Sequence, residues 1–272
     1  NFILSRRVDF VPSSNWLTRK RYNHAGIKRV LCVSDAIRKI MHDYLDINKD
    51  RCVTVYSGVD LTKFDVKPSF SIRKKYNISE GMSIIGNTSA LADHKDYYTF
   101  IDTARALLDL GRKVHFFILG DGPMKEEIQE YVSNKKLKGH ITFTGFVDNV
   151  PEWLKQFDVF LITSKTEGLG TSIIDALACE IPVVATKAGG IPELVIHEQT
   201  GLLAEVRDVS QLTTYVQKVL DDLSLRNELV KNGLEHVKLF SKENTARETS
   251  EIYDSIGREQ LAENRWKKTD NS

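Results

Sequence analysis

Ser164-Lys165-Thr166-Glu167-Gly168-Leu169-Gly170-Thr171-Ser172 joins an apolar run, Asp158 to Thr163, to an amphipathic one, Ser172 to Cys179. A strand that passes into a helix through a glycine-bearing loop is the repeating unit of a parallel sheet, and open sheets of that kind hold ligands beyond the carboxyl ends of their strands. Gly168 and Gly170 let the backbone approach a ligand closely. The amides from Leu169 to Ser172 lie at the helix start without intrahelical acceptors, which makes an anion site suited to a diphosphate. Glu167 stands before the helix and Asp175 a little over two turns along from it, so both carboxylates can edge one cleft and accept hydrogen bonds from sugar hydroxyls. Taken alone, the same loop is also explained as a plain turn in which Thr171 caps the helix and both acids face water.

The same alternation extends on either side of this loop. Strands are expected at Ser83 to Gly86, Val114 to Gly120, Ile141 to Thr144, Asp158 to Thr163, Pro182 to Thr186 and Leu202 to Ala204. Helices are expected at Asp96 to Leu110, Met124 to Asn134, Val150 to Gln156, Ser172 to Cys179 and Ser210 to Leu223, each about as long as a crossover between parallel strands requires. Together they make a complete, six-stranded, doubly wound α/β domain over 79–240. Upstream, Arg29 to Val33 and Cys52 to Tyr56 enclose a helix at Asp35 to Tyr44. That βαβ piece, 1–60, is too small for a domain, so its neighbours are expected ahead of Asn1. Residues 61–78, around Pro68 and Ser69, are expected to link the two parts. The stretch 241–272 is expected to hold a helix, Glu243 to Ile256, and a polar tail.

Composition narrows the class without naming an activity. With 38 Lys plus Arg against 37 Asp plus Glu, no global field selects nucleic acid as a partner, so any phosphate site has to be local. Cys32, Cys52 and Cys179 lie in or beside apolar runs, as reduced thiols do, which favours the cytoplasm. No run of about 18 apolar residues is long enough for a transmembrane helix.

The longest motif resembles that of the retaining glycosyltransferases of family four (glycosyl transferases group 1), whose two-domain architecture is called GT-B. It runs from Glu167-Gly168-Leu169-Gly170 to Asp175-Ala176-Leu177-Ala178-Cys179, then through Ile181-Pro182-Val183-Val184-Ala185-Thr186 and Gly189-Gly190-Ile191-Pro192-Glu193-Leu194. It looks like that family's signature of two acidic residues separated by seven others. Ser57-Gly58-Val59-Asp60, Lys63-Phe64, Gly120-Asp121-Gly122-Pro123 and Gly145-Phe146 support the match. The resemblance implies a complete C-terminal Rossmann-like domain for the donor and a remnant of the N-terminal Rossmann-like domain.

It also implies roles. Glu167 would bind hydroxyls of the transferred sugar, Asp175 the ribose hydroxyls, and the backbone of Gly168, Leu169, Gly170 and Thr171 the phosphate and sugar. Lys95 would meet the donor diphosphate as a point charge, and Phe146 and Val147 would meet the base through their backbone, although Phe146 is equally explained as a core residue. Gly120 is expected to turn the chain near the nucleotide.

Three positions depart from the family pattern. Asp175 stands in place of the usual glutamate. Asn87, expected among the donor-binding residues, occupies the place of an arginine, so that the phosphate charge is met by Lys95, helper groups such as His94 and the helix terminus. Ser5-Arg6-Arg7-Val8-Asp9-Phe10 lies where the family carries a histidine near a strand end, and Arg6 or Arg7 either faces the donor or has a structural role.

The implied reaction moves a hexose from a nucleotide-diphosphate sugar to an acceptor hydroxyl with retention. The acceptor would be a glycan or a lipid-linked group in surface polysaccharide or glycolipid assembly, with peripheral contact to the inner membrane face made by the missing N-terminal domain. No cofactor and no metal are required, and no Asp-any-Asp triplet occurs in the chain. Two alternatives are a truncated nucleotide-binding module without activity and a GT-B nucleotide-sugar epimerase.

Overall fold

The computed structural model describes residues 2–269. The chain divides into two compact units, one holding the residues up to Val59 together with those from Leu239 onward, the other Asp60–Lys238.

The first unit opens with β1 (Phe2–Arg6), α1 (Trp16–Tyr22), β2 (Ile27–Cys32), α2 (Asp35–Leu45) and β3 (Cys52–Thr54). Its three strands are parallel in the order β1-β2-β3, with Leu4 beside Val30 and Arg6 beside Cys32. Ser34 starts α2 by accepting a hydrogen bond from the Ile37 amide, and Ile37, Met41 and Leu45 recur at four-residue spacing on its buried face. Each such aliphatic side chain contributes about 2 kcal/mol of burial.

The second unit carries α3 (Ile72–Tyr76), β4 (Ser83–Thr88), α4 (Tyr97–Asp109), β5 (Val114–Leu119), α5 (Lys125–Asn134), β6 (Ile141–Gly145), α6 (Val150–Leu154), β7 (Val159–Ile162), α7 (Thr171–Ala178), β8 (Val183–Thr186), α8 (Ile191–Leu194), β9 (Leu202–Ala204), α9 (Val209–Asp221) and α10 (Leu223–His236). Its six strands are all parallel in the order β6-β5-β4-β7-β8-β9. The chain builds outward from β4 to β6, then restarts beside β4 with β7. That reversal leaves a crevice at the carboxyl ends of β4 and β7. β5, β7 and β8 are buried along their whole length, as helices on both sides require. Tyr97, Phe100, Phe116, Val216 and Leu229 are among the residues of the main core.

Residues 61–78, expected to link the two parts, pack within the second unit. Phe64 is buried, the Ser69 amide donates to Glu152, the Ile72 amide donates to Gln156, and Phe70 meets Trp153 edge-on at 5.0 Å. The C-terminal stretch belongs to the first unit. The last helix, α11 (Lys242–Thr269), is tied to the strand exit of the first unit. There the Val59 amide donates to the Phe240 carbonyl, and Thr245 Oγ1 donates to the Tyr56 carbonyl at 2.8 Å. Gly58 has no room for a side chain, since a Cβ there would lie 2.2 Å from the Ser241 carbonyl oxygen. The end of the expected polar tail, 270–272, lies outside the described residues.

Candidate functional site

Glu167 is held at the end of the loop that follows β7. It is 7% exposed, and its Oε1 accepts from Lys95 Nζ at 2.5 Å and from Ser164 Oγ at 2.7 Å. Both bonds fall on one oxygen, which leaves Oε2 as an acceptor with no hydrogen bond among the described residues. Lys95 reaches this position because the turn Asp93–Lys95 is stitched to the same loop: the Lys165 amide donates to the His94 carbonyl, and Thr163 Oγ1 donates to the Asp96 carbonyl. Asp96 sits in the left-handed region at φ 49°, which turns the chain sharply from Lys95 into α4.

From the other side the loop is clamped by glycines. The Gly190 amide donates to the Glu167 carbonyl, and a Cβ on Gly189 would lie 2.1 Å from that same oxygen. A Cβ on Gly190 would lie 2.4 Å from the Gly168 oxygen. Backbone meets backbone here, so a single methyl group would force the two segments apart.

Gly170 caps α7 at φ 91°, a conformation that suits glycine, and no side chain bonds to the first-turn amides. Thr171 is therefore the first helical residue and does not act as the cap. The free amides and the positive end of the helix dipole remain available to an anion. Beside them lies a cavity of about 320 Å³ at the carboxyl ends of β4 and β5. Thr88, Ser89 and Ala90 form one wall, Leu119, Gly120 and Asp121 a second, and Phe146, Val147 and Val150 a third; Thr171, Ser172 and Asp175 complete it from α7. Gly120, at φ 136°, permits the close turn, because a Cβ there would lie 2.2 Å from the Ser89 oxygen. The Phe146 ring is 86% exposed, which rules out its reading as a core residue. Asp175 lies half-buried on α7, and its carboxylate has no hydrogen bond or ion pair among the described residues. Burial pushes its carboxyl up to about 6.

Of the residues singled out in sequence, Gly120, Phe146, Val147, Thr171 and Asp175 line this cavity. Lys95 and Glu167 form a buried pair at the loop leading into α7, with Gly168, Leu169 and Gly170 between that pair and the helix start. Asn87 is a correction. It is 3% exposed, its amide nitrogen donates to the Leu161 carbonyl, and its oxygen accepts from Ser89 Oγ and Tyr97 Oη. Its polar ends are spent inside the sheet, and it does not line the cavity. His94 is exposed and takes part through its backbone carbonyl. Arg7 donates to Ser57 within the first unit, 3.0 Å away. Thr88, Ser89, Ala90 and Val150 were not anticipated. Their common signal is position, immediately after a strand or at a helix start around the point where the strand order reverses.

Among the described residues no group of three His, Cys, Asp or Glu is placed to hold a metal, and no helix is long and apolar enough to cross a membrane. The three cysteines are buried and unbridged.

Residues 69–236 match the family described as Glycosyl transferases group 1. Over 250 residues, 91% of this chain and 64% of the relative, the chain is 29% identical to N-acetyl-alpha-D-glucosaminyl L-malate synthase of Bacillus anthracis. Over 226 residues, 79% of this chain and 63% of the relative, it is 28% identical to the lipopolysaccharide core biosynthesis mannosyltransferase LpsB of Rhizobium meliloti. The chain thus spans a little under two thirds of the length of these relatives. Among solved structures, it superposes with a TM-score of 0.83 on a glycosyltransferase from Rickettsia africae, at 22% identity, covering 94% of this chain and 70% of that one. Anabaena Alr3699/HepE in complex with UDP-glucose gives a TM-score of 0.83 at 21% identity, covering 93% of this chain and 72% of that one. These structural likenesses establish the shared α/β fold with parallel sheets.

Proposed function

The chain belongs to the glycosyl transferases group 1 family, and on that premise we propose that it binds a nucleotide-diphosphate sugar and serves the transfer of its hexose to an acceptor hydroxyl with retained configuration. The observation that carries this is the arrangement around the start of α7. An uncapped helix terminus faces a cavity that holds one unpartnered carboxylate, Asp175, and the loop before it holds a buried Lys95–Glu167 pair with one free acceptor oxygen. A diphosphate fits the helix terminus. The ribose hydroxyls would donate to Asp175, the base would lie along Phe146 and Val147, and sugar hydroxyls would donate to Glu167 Oε2. The complexes of Anabaena HepE with UDP and with UDP-glucose support this choice of ligand.

Charge develops on the leaving diphosphate as the glycosidic C–O bond breaks. Lys95 spends one of its three donors on Glu167, so it can bridge that carboxylate and the phosphate. With the amides from Gly168 to Thr171, it stabilises the separated charge more than the intact donor. The names of the relatives support a glycan or lipid-linked acceptor in glycan or glycolipid assembly, with the acceptor and any membrane contact belonging to the longer protein.

Calorimetric titration of the chain with UDP, UDP-glucose and GDP-mannose, followed by a turnover assay on a longer form aligned to the full length of the relatives, tests the reading. Binding of at least one nucleotide sugar with release of nucleoside diphosphate is the expected result. Binding without transfer in the longer form would leave a nucleotide-binding module, and release of epimerised donor without acceptor would make it an epimerase.

A further inference from the structure

The side-chain oxygen of Asn87 belongs to a hydrogen-bonded cluster that has more contacts than protons. Ser89 Oγ lies 2.7 Å from Asn87 Oδ1 and 2.8 Å from Tyr97 Oη. Tyr97 Oη in turn lies 3.0 Å from Asn87 Oδ1 and 3.3 Å from the Ser89 carbonyl oxygen. Each hydroxyl has one proton to give and the two carbonyl-type oxygens have none, so two protons serve four contacts. Tyr97 alone can satisfy Asn87. Its ring is 2% exposed, and burial pushes its hydroxyl above the ordinary phenol value, so the proton stays in place. The Ser89 backbone is fixed as well: its amide donates to the Leu119 carbonyl at 3.1 Å, and Gly120 presses on its carbonyl oxygen. What is left to turn is the hydroxyl, about χ1.

Asn87 and Tyr97 are buried, whereas Ser89 is half-buried and lines the cavity beside α7. Its neighbour on that wall, Thr88, carries a hydroxyl oxygen that is buried with no hydrogen-bond partner. Rotation of the Ser89 hydroxyl into the cavity leaves Asn87 paired, because Tyr97 takes over its oxygen. A spare proton suits a group that accepts without donating. A phosphate oxygen is such a group, whereas ribose and sugar hydroxyls bring protons of their own. We propose that Ser89 donates to a phosphate oxygen of the bound nucleotide, and that Tyr97 is the positioning residue that releases it by holding Asn87. The assignment rests on the nucleotide-sugar reading. It supplies a neutral donor on the wall where Asn87 stands in place of the family's arginine.

The test is calorimetric titration with UDP and GDP of the unaltered chain, Ser89→Ala, Tyr97→Phe and the double variant, with urea unfolding of the same samples. Ser89→Ala should lower nucleoside diphosphate affinity about tenfold, the loss expected for one hydrogen bond to a charged group. Its urea midpoint should not move, because Tyr97 still serves Asn87. Tyr97→Phe should weaken binding by a similar factor, since Asn87 then retains the Ser89 proton. Adding Ser89→Ala to Tyr97→Phe should cost no further affinity. Losses that multiply in the double variant overturn the proposal. A urea midpoint that falls with Ser89→Ala overturns it too, since the hydroxyl would then belong to the frame of the domain. Equal affinity of the unaltered chain and Ser89→Ala overturns this assignment while the nucleotide-sugar reading stands, whereas a chain that binds neither UDP nor GDP overturns both.

Discussion

The loop from Thr163 to Gly170 and the cavity between β4, β5 and α7 differ in how their polar groups are satisfied. In the loop the key atoms are spoken for: Glu167 Oε1 takes two bonds, Thr163 and Thr186 Oγ1 donate to backbone carbonyls, and Gly189 and Gly190 press directly on the chain. In the cavity the Asp175 carboxylate has no partner among the described residues, the Phe146 ring is exposed, and the amides at the start of α7 lack a side-chain cap. One region is fixed by its own bonds, and the other leaves polar groups open. Preorganised charge next to unsatisfied groups is what a transfer site needs, because the first costs no rearrangement during reaction and the second supplies affinity.

The largest effect should come from breaking the rigid side. Lys95→Met removes the cation proposed to meet the leaving group and should lower turnover of the longer form about a hundredfold or more, measured as kcat with saturating donor. Unchanged kcat would remove Lys95 from the chemistry. Gly189→Ala sets a methyl group against the Glu167 carbonyl at a φ of 52°, and should cost about 3 kcal/mol in urea unfolding. A smaller loss would mean that the loop can yield, and the contrast would weaken.

On the open side, Asp175 in its proposed role has to be ionised to accept from two hydroxyls. UDP affinity should therefore fall about tenfold between pH 7 and pH 5, with a midpoint near 6, and Asp175→Asn should be weaker at pH 7 and flat across that range. The sign for stability is opposite. The folded carboxyl sits at about 6 against an ordinary 3.8, so the ligand-free chain loses stability as pH rises through that window, and Asp175→Asn should remove the loss.

The subtlest test separates the regions by ligand. Ser164→Ala should weaken UDP-glucose several-fold while leaving UDP unchanged, because the Ser164 hydroxyl donates to the carboxylate assigned to the sugar. An equal fall for both ligands would make Ser164 merely structural.

The six strands of the second unit were legible because each is a short apolar run bounded by turns, and the loop into α7 was legible because its glycines and acids recur at fixed spacing. Elements without a buried stripe were not. α1 buries none of its residues, α10 buries only Leu229 and Gly233, and β1 is too short a run to stand out, so none has a clear periodic signature. α11 was read as far as Ile256, since the residues after it are polar at nearly every position. Asn87 was misplaced because its position along β4 was correct, whereas the direction of its side chain is set by Leu161, Ser89 and Tyr97, which come from other parts of the chain or from beyond the strand. The cavity walls from Thr88 to Ala90 became visible only once the strand order was known.

If Lys95 and Glu167 act as proposed, their pair also bears on release of the spent nucleotide. A departing diphosphate would leave Lys95 to Glu167 alone, so that the free protein returns to a paired state at that point. Glu167→Gln would remove this competitor, and the freed nucleotide should then remain bound longer and inhibit more strongly than it does in the unaltered protein.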